Sequence, residues 1–380
     1  MKNILIIGNI HDKHLVRFVQ GLRNVGADYI IDILDVSMKQ ETATSCNLYD
    51  CVYTIKRTHH SFVYQIPGIA KLAKLRDSRI AFHAIANQYD VINIQYISLQ
   101  ACVLVNDLHR VVSTKVITNP WGSDVYRISR YRRRLVQNVI DHSDYVTIMP
   151  HTKFGDDVKK FFHVPEKKCL PLCFGSDVLD QIDKSPMTKT MAKDTLFGEH
   201  DNFIIVCGYN AAKAQNHLQI IDTLKQIKSE LPPNALIVLP MTYSKEKLYM
   251  VEVETCLKKL GVNYKIFDTY LSDENIVKLR KATDLFIHMQ TTDAYSSTLH
   301  EYLLCGTTVI NADWLRYHEL EQYGVPYYLA NFENLREVIT TCLRDANNDV
   351  NNGLIDVLHS YKWSTQIYLW NKLFTKLLRQ

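Results

Sequence analysis

Short apolar runs, each followed by a polar loop and a helix-spaced apolar face, recur along this chain, and the series restarts half-way. Residues 4–7 are Ile, Leu, Ile and Ile. An unbroken run of that kind marks a strand covered on both faces of a parallel sheet. Gly8 and Asn9 open a polar loop, Leu15, Phe18, Val19 and Leu22 share one helical face, and residues 29–34 return to a strand. Further strands are expected at 51–55, 90–94, 115–118 and 145–149, with helices at 69–87, 99–108 and 151–162. Residues 176–200 turn polar and mixed in charge, with Pro186 and Gly198, and read as a linker. A second series runs through strands at 203–207, 235–240, 264–267, 284–288, 307–310 and 325–329, with helices at 245–260, 274–282, 314–323 and 332–344 between and after them. A last helix over 364–378, preceded by Trp363, carries Ile367, Trp370, Phe374 and Leu377 on one face. Two such series predict an α/β chain of two Rossmann-like doubly wound domains facing a cleft.

The bulk properties fit and exclude. The length of 380 residues suits two domains. Net charge is only +4, too small to argue for nucleic acid. The nine cysteines are scattered and form no Cys-x-x-Cys pair, so they read as small buried residues in a reducing, cytoplasmic setting. The apolar run at 4–7 is too short for a secretory signal, and no stretch of 18 apolar residues reads as a bilayer span.

The functional argument centres on residues 289–306. An expected strand leads into a loop of small polar residues, Ser296 or Ser297 can cap a helix, and Gly306 can end it. The first N–H groups of a helix lack intrahelical partners and carry roughly half a positive charge, which makes an anion site. A nucleotide diphosphate is therefore expected on Ser296 and Ser297, with Asp293 beside the attached sugar and Glu301 beside the ribose. The plain alternative is a capped helix whose acids face water.

Other candidates lie just past the expected strands, where ligands bind in open α/β sheets. Gly8 and Asn9 follow the first strand, but only Gly8 of a Gly-x-Gly-x-x-Gly fingerprint is present, which disfavours a dinucleotide. Trp121, Gly122, Ser123 and Asp124 follow the strand at 115–118, either as ligand contacts or as a turn with an aromatic plug. Lys213 either points an ammonium at the diphosphate or is an exposed loop lysine. Arg127, Arg130, Arg132, Arg133 and Arg134, with Tyr126 and Tyr131, form a solvated face, a phosphate clamp or a patch for an anionic membrane surface.

The order Gly208, Lys213, Tyr264 to Leu271, Leu279-x-x-Ala282-x-Asp284, Asp293 to Glu301 and Gly306 to Ala312 resembles the C-terminal domain of GT-B fold, retaining glycosyltransferases of family 4, the group 1 transferases. Those enzymes carry an acid, seven residues and a Glu before Leu-x-x-x-Gly; here Asp293 replaces the usual first Glu and Glu301 matches the second. Trp121, Gly122, Ser123 and Asp124 resemble the family's His/Trp-Gly-Ser/Thr-Asp segment, and the final helix resembles its closing helix, which returns to the N-terminal domain. Departures are Tyr209 and Asn210 where the family has Arg, and Trp121 where many members have His. The stretch from Gly208 to His217, with residues 240–243, also looks like the inverting lipid-linked 4-acetamido-4,6-dideoxygalactose transferases.

The resemblance implies an acceptor-binding domain at 1–180, completed by the helix at 362–380, and a nucleotide-sugar domain at 195–360. It implies Asp293 and Asp124 as catalytic residues, Asp124 orienting the acceptor hydroxyl. Glu301, Lys213, Ser296, Ser297, Gly208, Asn210, Tyr270 and Leu271 would hold the donor, and Gly8, Asn9, Trp121, Gly122 and Ser123 would line the acceptor side. The expected reaction moves a sugar from a nucleotide diphosphate to a glycan or polyprenyl-linked acceptor for a bacterial surface polysaccharide, without cofactor, metal or nucleic acid, in the cytoplasm or at the inner face of the membrane. The absence of any Asp-x-Asp from the sequence agrees with metal-free leaving-group stabilisation. An epimerase of the same fold or an idle nucleotide-sugar-binding subunit are the rival expectations.

Overall fold

The computed structural model describes residues 3–37, 47–85, 88–108, 114–149, 152–292, 295–344 and 352–379. The chain divides into two compact units, one of Met1–Gly175 with Ser364–Gln380 and one of Ser176–Trp363.

The first unit is built on strands β1 (Asn3–Gly8), β2 (Ile30–Asp35), β3 (Val52–Thr54), β4 (Val91–Gln95), β5 (Lys115–Asn119), β6 (Tyr145–Thr147) and β7 (Cys169–Leu170). Their order in the sheet is β3-β2-β1-β4-β5-β6-β7, and each pairing is parallel. Helices α1 (Lys13–Asn24), α2 (Pro67–Ile85), α3 (Leu99–Leu108), α4 (Ser123–Tyr126), α5 (Arg130–His142) and α6 (Lys153–Phe161) connect them. Asp12 starts α1 by accepting from the N–H groups of His14 and Leu15, and the expected face of Leu15, Phe18, Val19 and Leu22 is buried. By the right-handed crossover rule α1 belongs to one face of the sheet and α2, α3 and α5 to the other. The latter three pack side by side.

The second unit begins where a linker was expected. Residues 176–200 instead carry α7 (Asp177–Lys184) and α8 (Lys189–Phe197). Their polar outer faces gave the stretch its linker-like composition, while Val178, Leu179, Ile182 and Ala192 are buried. Then follow β8 (Phe203–Cys207), α9 (His217–Gln226), β9 (Ala235–Pro240), α10 (Lys247–Leu260), β10 (Asn263–Phe267), α11 (Asp273–Ala282), β11 (Leu285–His288), α12 (Ser297–Leu304), β12 (Thr308–Ala312), α13 (His318–Glu321), β13 (Tyr328–Ala330), α14 (Leu335–Arg344) and α15 (Asn352–Ser360). The sheet order is β10-β9-β8-β11-β12-β13, again parallel in each pairing. Alternation splits its core: Ile205, Cys207 and Ile237 face the layer of α9 and α10, while Ile204, Val206 and Val238 face α12 and α15. The expected helix over 314–323 shortens to α13, because residues 312–315 are held as a turn by Leu315 N–H donating to Ala312 O and Asn311 Nδ2 donating to Leu315 O.

The last helix, α16 (Trp363–Leu377), crosses back to the first unit. Its buried Trp370 and Phe374 meet Phe18 of α1 at ring distances of 5.2 and 6.3 Å. Trp370 Nε1 donates to Cys173 O at 3.1 Å, and Tyr29 donates to Asn371 Oδ1 at 3.0 Å. Burying one such aromatic contributes about 2–3 kcal/mol, enough to fix the helix there. No helix among the described residues is long and apolar enough to cross a membrane.

Candidate functional site

In the second sheet β8 lies next to β11, and strand order runs in opposite directions from that pair. This is the switch point at which the loops leaving two adjacent strands diverge and open a crevice. Here the two loops are tied together. Gly208 follows β8 with φ +65°, and a Cβ there would stand 2.8 Å from Gln215 Oε1 and 2.9 Å from His217 Nε2, so only glycine fits. Tyr209 N–H donates to Gln215 Oε1 at 3.2 Å, and Gln215 Nε2 and the Tyr209 hydroxyl both donate to Gln290 Oε1, at 3.0 and 2.5 Å. Asn216 Nδ2 donates to Met289 O at 2.6 Å, and Thr291 N–H to Ala214 O at 2.8 Å. Asn210 is buried and caps its own turn through Ala212 N–H. Gln215 and Gln290 were not expected as site residues; the position of Gln290 just past β11 was the available signal, whereas Gln215 lies in the turn that leads into α9.

Lys213 projects from this loop, exposed, with Nζ 2.8 Å from Glu246 Oε2, a partner that raises its pKa. Tyr270 is exposed and Leu271 nearly buried in the loop after β10. Asp293 lies outside the described residues. Ser296 is the N-cap of α12 without a side-chain cap bond, its N–H donating to Tyr317 OH at 3.1 Å, and Ser297 is exposed as the first helical residue. Around this helix start, Tyr295 packs on His300, Tyr317 and Tyr361 at 4.5, 4.9 and 5.2 Å.

Glu301, expected beside the ribose, is buried in this structure. It is 3% exposed. Arg280 Nε donates to its Oε2 at 2.9 Å and Ser176 Oγ to its Oε1 at 2.9 Å. Arg280 Nη1 also donates to Tyr302 OH at 2.9 Å. Burial alone would lower the Arg280 pKa, but Tyr302 and Glu301 outweigh it and raise it, so the guanidinium stays charged. Both carboxylate oxygens of Glu301 are thus spent on anchoring α12 to α11 and to Ser176, the residue that bridges Lys362 where the chain enters and leaves this unit. Arg280 escaped notice because it stands at an apolar-periodic position of α11.

The first sheet has its own switch point at β1 and β4. Gly8 ends β1 and Asn9 follows it, and Tyr96, with φ +66°, follows β4. Trp121 stands above them: its Nε1 donates to Gln95 Oε1 at 3.3 Å, and its ring meets His14, Tyr96 and Phe174 at 5.8, 5.9 and 5.1 Å. Gly122 turns the chain with φ +116°, and Ser123 is exposed, its hydroxyl 3.4 Å from that of Tyr96. Asp124 is not open to an acceptor. It is fully buried, with Oδ1 accepting from the N–H groups of Trp121 and Gly122 at 2.9 Å and Oδ2 from Ile97 N–H at 2.8 Å. Burial raises its pKa. Its task is to shape the loop that presents Trp121. Of the five arginines, Arg132 donates to Ile97 O at 3.1 Å, whereas Arg127, Arg130, Arg133 and Arg134 are exposed.

Two parallel Rossmann-like units, with the last helix returning to the first, define the GT-B glycosyltransferase fold. Solved structures of that class match over the whole chain. Sucrose-phosphate synthase from Thermosynechococcus elongatus has a TM-score of 0.74 at 14% identity, with 100% of both chains covered. A glycosyltransferase from Rickettsia africae has a TM-score of 0.72 at 14% identity, over 100% of this chain and 99% of the other. Anabaena HepE in complex with UDP-glucose has a TM-score of 0.66 at 17% identity, over 100% of both. These are likenesses of fold. No protein-family model matches the chain, and no curated protein matches it by sequence.

Proposed function

We propose that this protein is a glycosyltransferase that moves a sugar from a nucleotide diphosphate to a glycan or lipid-linked saccharide, retaining the anomeric configuration and using no metal. The observation that carries the reading is the start of α12 beside the β8/β11 switch point, a helix N-terminus with no side-chain cap in the crevice where such sheets bind ligands. The diphosphate sits on Ser296 and Ser297. Lys213, exposed, exchanges Glu246, itself exposed, for the leaving phosphate. Positive charge aimed at the departing diphosphate lowers the barrier to breaking the sugar–phosphate bond. Asp293 stands at the reacting sugar by its place in the sequence. Gly208, Asn210, Tyr270 and Leu271 complete the donor site. The acceptor lies against Trp121 and Ser123 in the first unit, where an aromatic surface suits a sugar ring.

The HepE complex makes UDP-hexoses the first donors to try. A donor screen reading nucleotide diphosphate release tests the proposal: release that rises with a saccharide acceptor is expected. Tight nucleotide-sugar binding with neither release nor transfer points to an idle binding subunit, and conversion of the sugar with no acceptor points to an epimerase.

A further inference from the structure

Helix α2 exposes a face that the donor chemistry does not use. Ile69, Leu72, Arg76 and Ile80 follow one another at spacings of three and four, one stripe along the helix, and all are exposed. Leu72 is 70% exposed, and Phe62, in the short 3-10 turn packed on α2, is 66% exposed. The opposite side of α2 already buries Ala70, Ala73, Phe82 and Ile85, so the helix is apolar on two sides. An outward apolar stripe of this size marks a surface that something else covers.

The charge around the stripe says what. From residue 51 to 85 the one acid is Asp77, and it is buried, accepting from Thr58 and Tyr64. The same segment carries Lys56, Arg57, Lys71, Lys74 and Arg76, besides Arg79, which Asp107 of α3 holds through Nε and Nη2 at 2.8 and 2.9 Å. On the same face of the sheet, with α3 packed between, lies α5. It and the turn before it expose Arg127, Arg130, Arg133 and Arg134, with Tyr131 72% exposed among them. From residue 120 to 140 the one acid is Asp124, also buried; the exposed Asp141 stands at the far end of α5. Apolar side chains interleaved with exposed cations match an anionic lipid surface, where chains enter the acyl boundary and cations meet headgroup phosphates. A nucleic-acid backbone would use the cations but leave the apolar stripe bare.

We propose that the α2/α5 face of the first unit docks on an anionic membrane surface. The docking needs no nucleotide, so it stands apart from the donor site. The test is co-sedimentation with phosphatidylcholine vesicles with and without phosphatidylglycerol, at low and high salt. The unaltered chain is expected to sediment with anionic vesicles alone and to be released by salt. Arg130→Gln/Arg134→Gln should lower partitioning on the order of twenty-five-fold, fivefold for each charge. Phe62→Ser/Leu72→Asp should lower it at least about tenfold. Leu72→Cys carrying an environment-sensitive dye should shift to the blue on adding anionic vesicles, whatever becomes of the double variants. No sedimentation with anionic vesicles, undiminished partitioning of the Leu72 variant, or an unshifted dye overturns the proposal. Binding of duplex DNA that depends on the arginines alone would reassign the patch to nucleic acid. Calorimetric nucleotide binding, retained by each variant, keeps this outcome separate from any failure of the donor assignment.

Discussion

The two switch-point crevices share a topology and differ in how they are held. In the second unit the crevice is lashed by amides, through Gln215, Gln290 and Asn216, and behind it Glu301 is neutralised by Arg280. In the first unit the crevice is walled by rings, Trp121 against His14, Tyr96 and Phe174, and behind it Asp124 is met by three backbone N–H groups. Each crevice thus rests on one buried carboxylate. A guanidinium balances one and main-chain dipoles balance the other. The lesson is that one sheet topology can present an N–H-rich loop suited to an anion or an aromatic wall suited to a sugar, and the buried acid serves the loop in both.

The sharpest break in that comparison is Glu301→Ala. It leaves Arg280 buried and unpaired, which costs about 3–5 kcal/mol, read as a large fall in the denaturant midpoint. If Glu301 instead served only a ligand, stability would not change. Next is the ionisation of Glu319, near the start of α12. Burial pushes its pKa up to about 7 from an ordinary 4.5, so its contribution is full below about 4.5 and is lost as pH rises through about 7. Burial pushes His300 down to about 3 and His217 down to about 4, so these two cost stability as pH falls from about 6.5. Stability should therefore decline on both sides. Glu319→Gln should flatten the alkaline side, by roughly 3 kcal/mol at most, and leave the acid side as it is; chemical denaturation across pH measures both.

Asp124→Asn comes third. It keeps one oxygen for the three N–H groups and turns an amide toward the rest, so about 2 kcal/mol is lost. The signature is local: fluorescence of Trp121 should change while calorimetric nucleotide binding by the second unit does not. The smallest effect is Lys213→Ala. The melting temperature should stay where it is, because the Glu246 pair is exposed at both ends. Nucleotide diphosphate affinity should fall on the order of tenfold, measured by calorimetry. Unchanged affinity would remove Lys213 from the donor site.

Much of this was legible in the residues. Runs such as 4–7 and 204–207 are buried on both faces of their sheets, and the spacing of Leu15, Phe18, Val19 and Leu22 is that of one helical face. The last helix was legible from Trp370 and Phe374, which are too large and too regularly spaced to stay in water, but its return to the first unit was implied by the family resemblance alone. The segment over 176–200 was not, because short helices with one narrow apolar face have the composition of a linker.

By itself the sequence determined most of the strands and the longer helices, and that a loop rich in small polar residues precedes a helix at 297, because periodicity and capping are local. What the acids do was decided by tertiary structure. Glu301 and Asp124 look alike on the page of the sequence, each beside an expected ligand loop. Only the fold brings a guanidinium from α11 to one and the N–H of Ile97 to the other. Whether a carboxylate faces a ligand or the core depends on partners distant in the chain, and no window of neighbouring residues contains them.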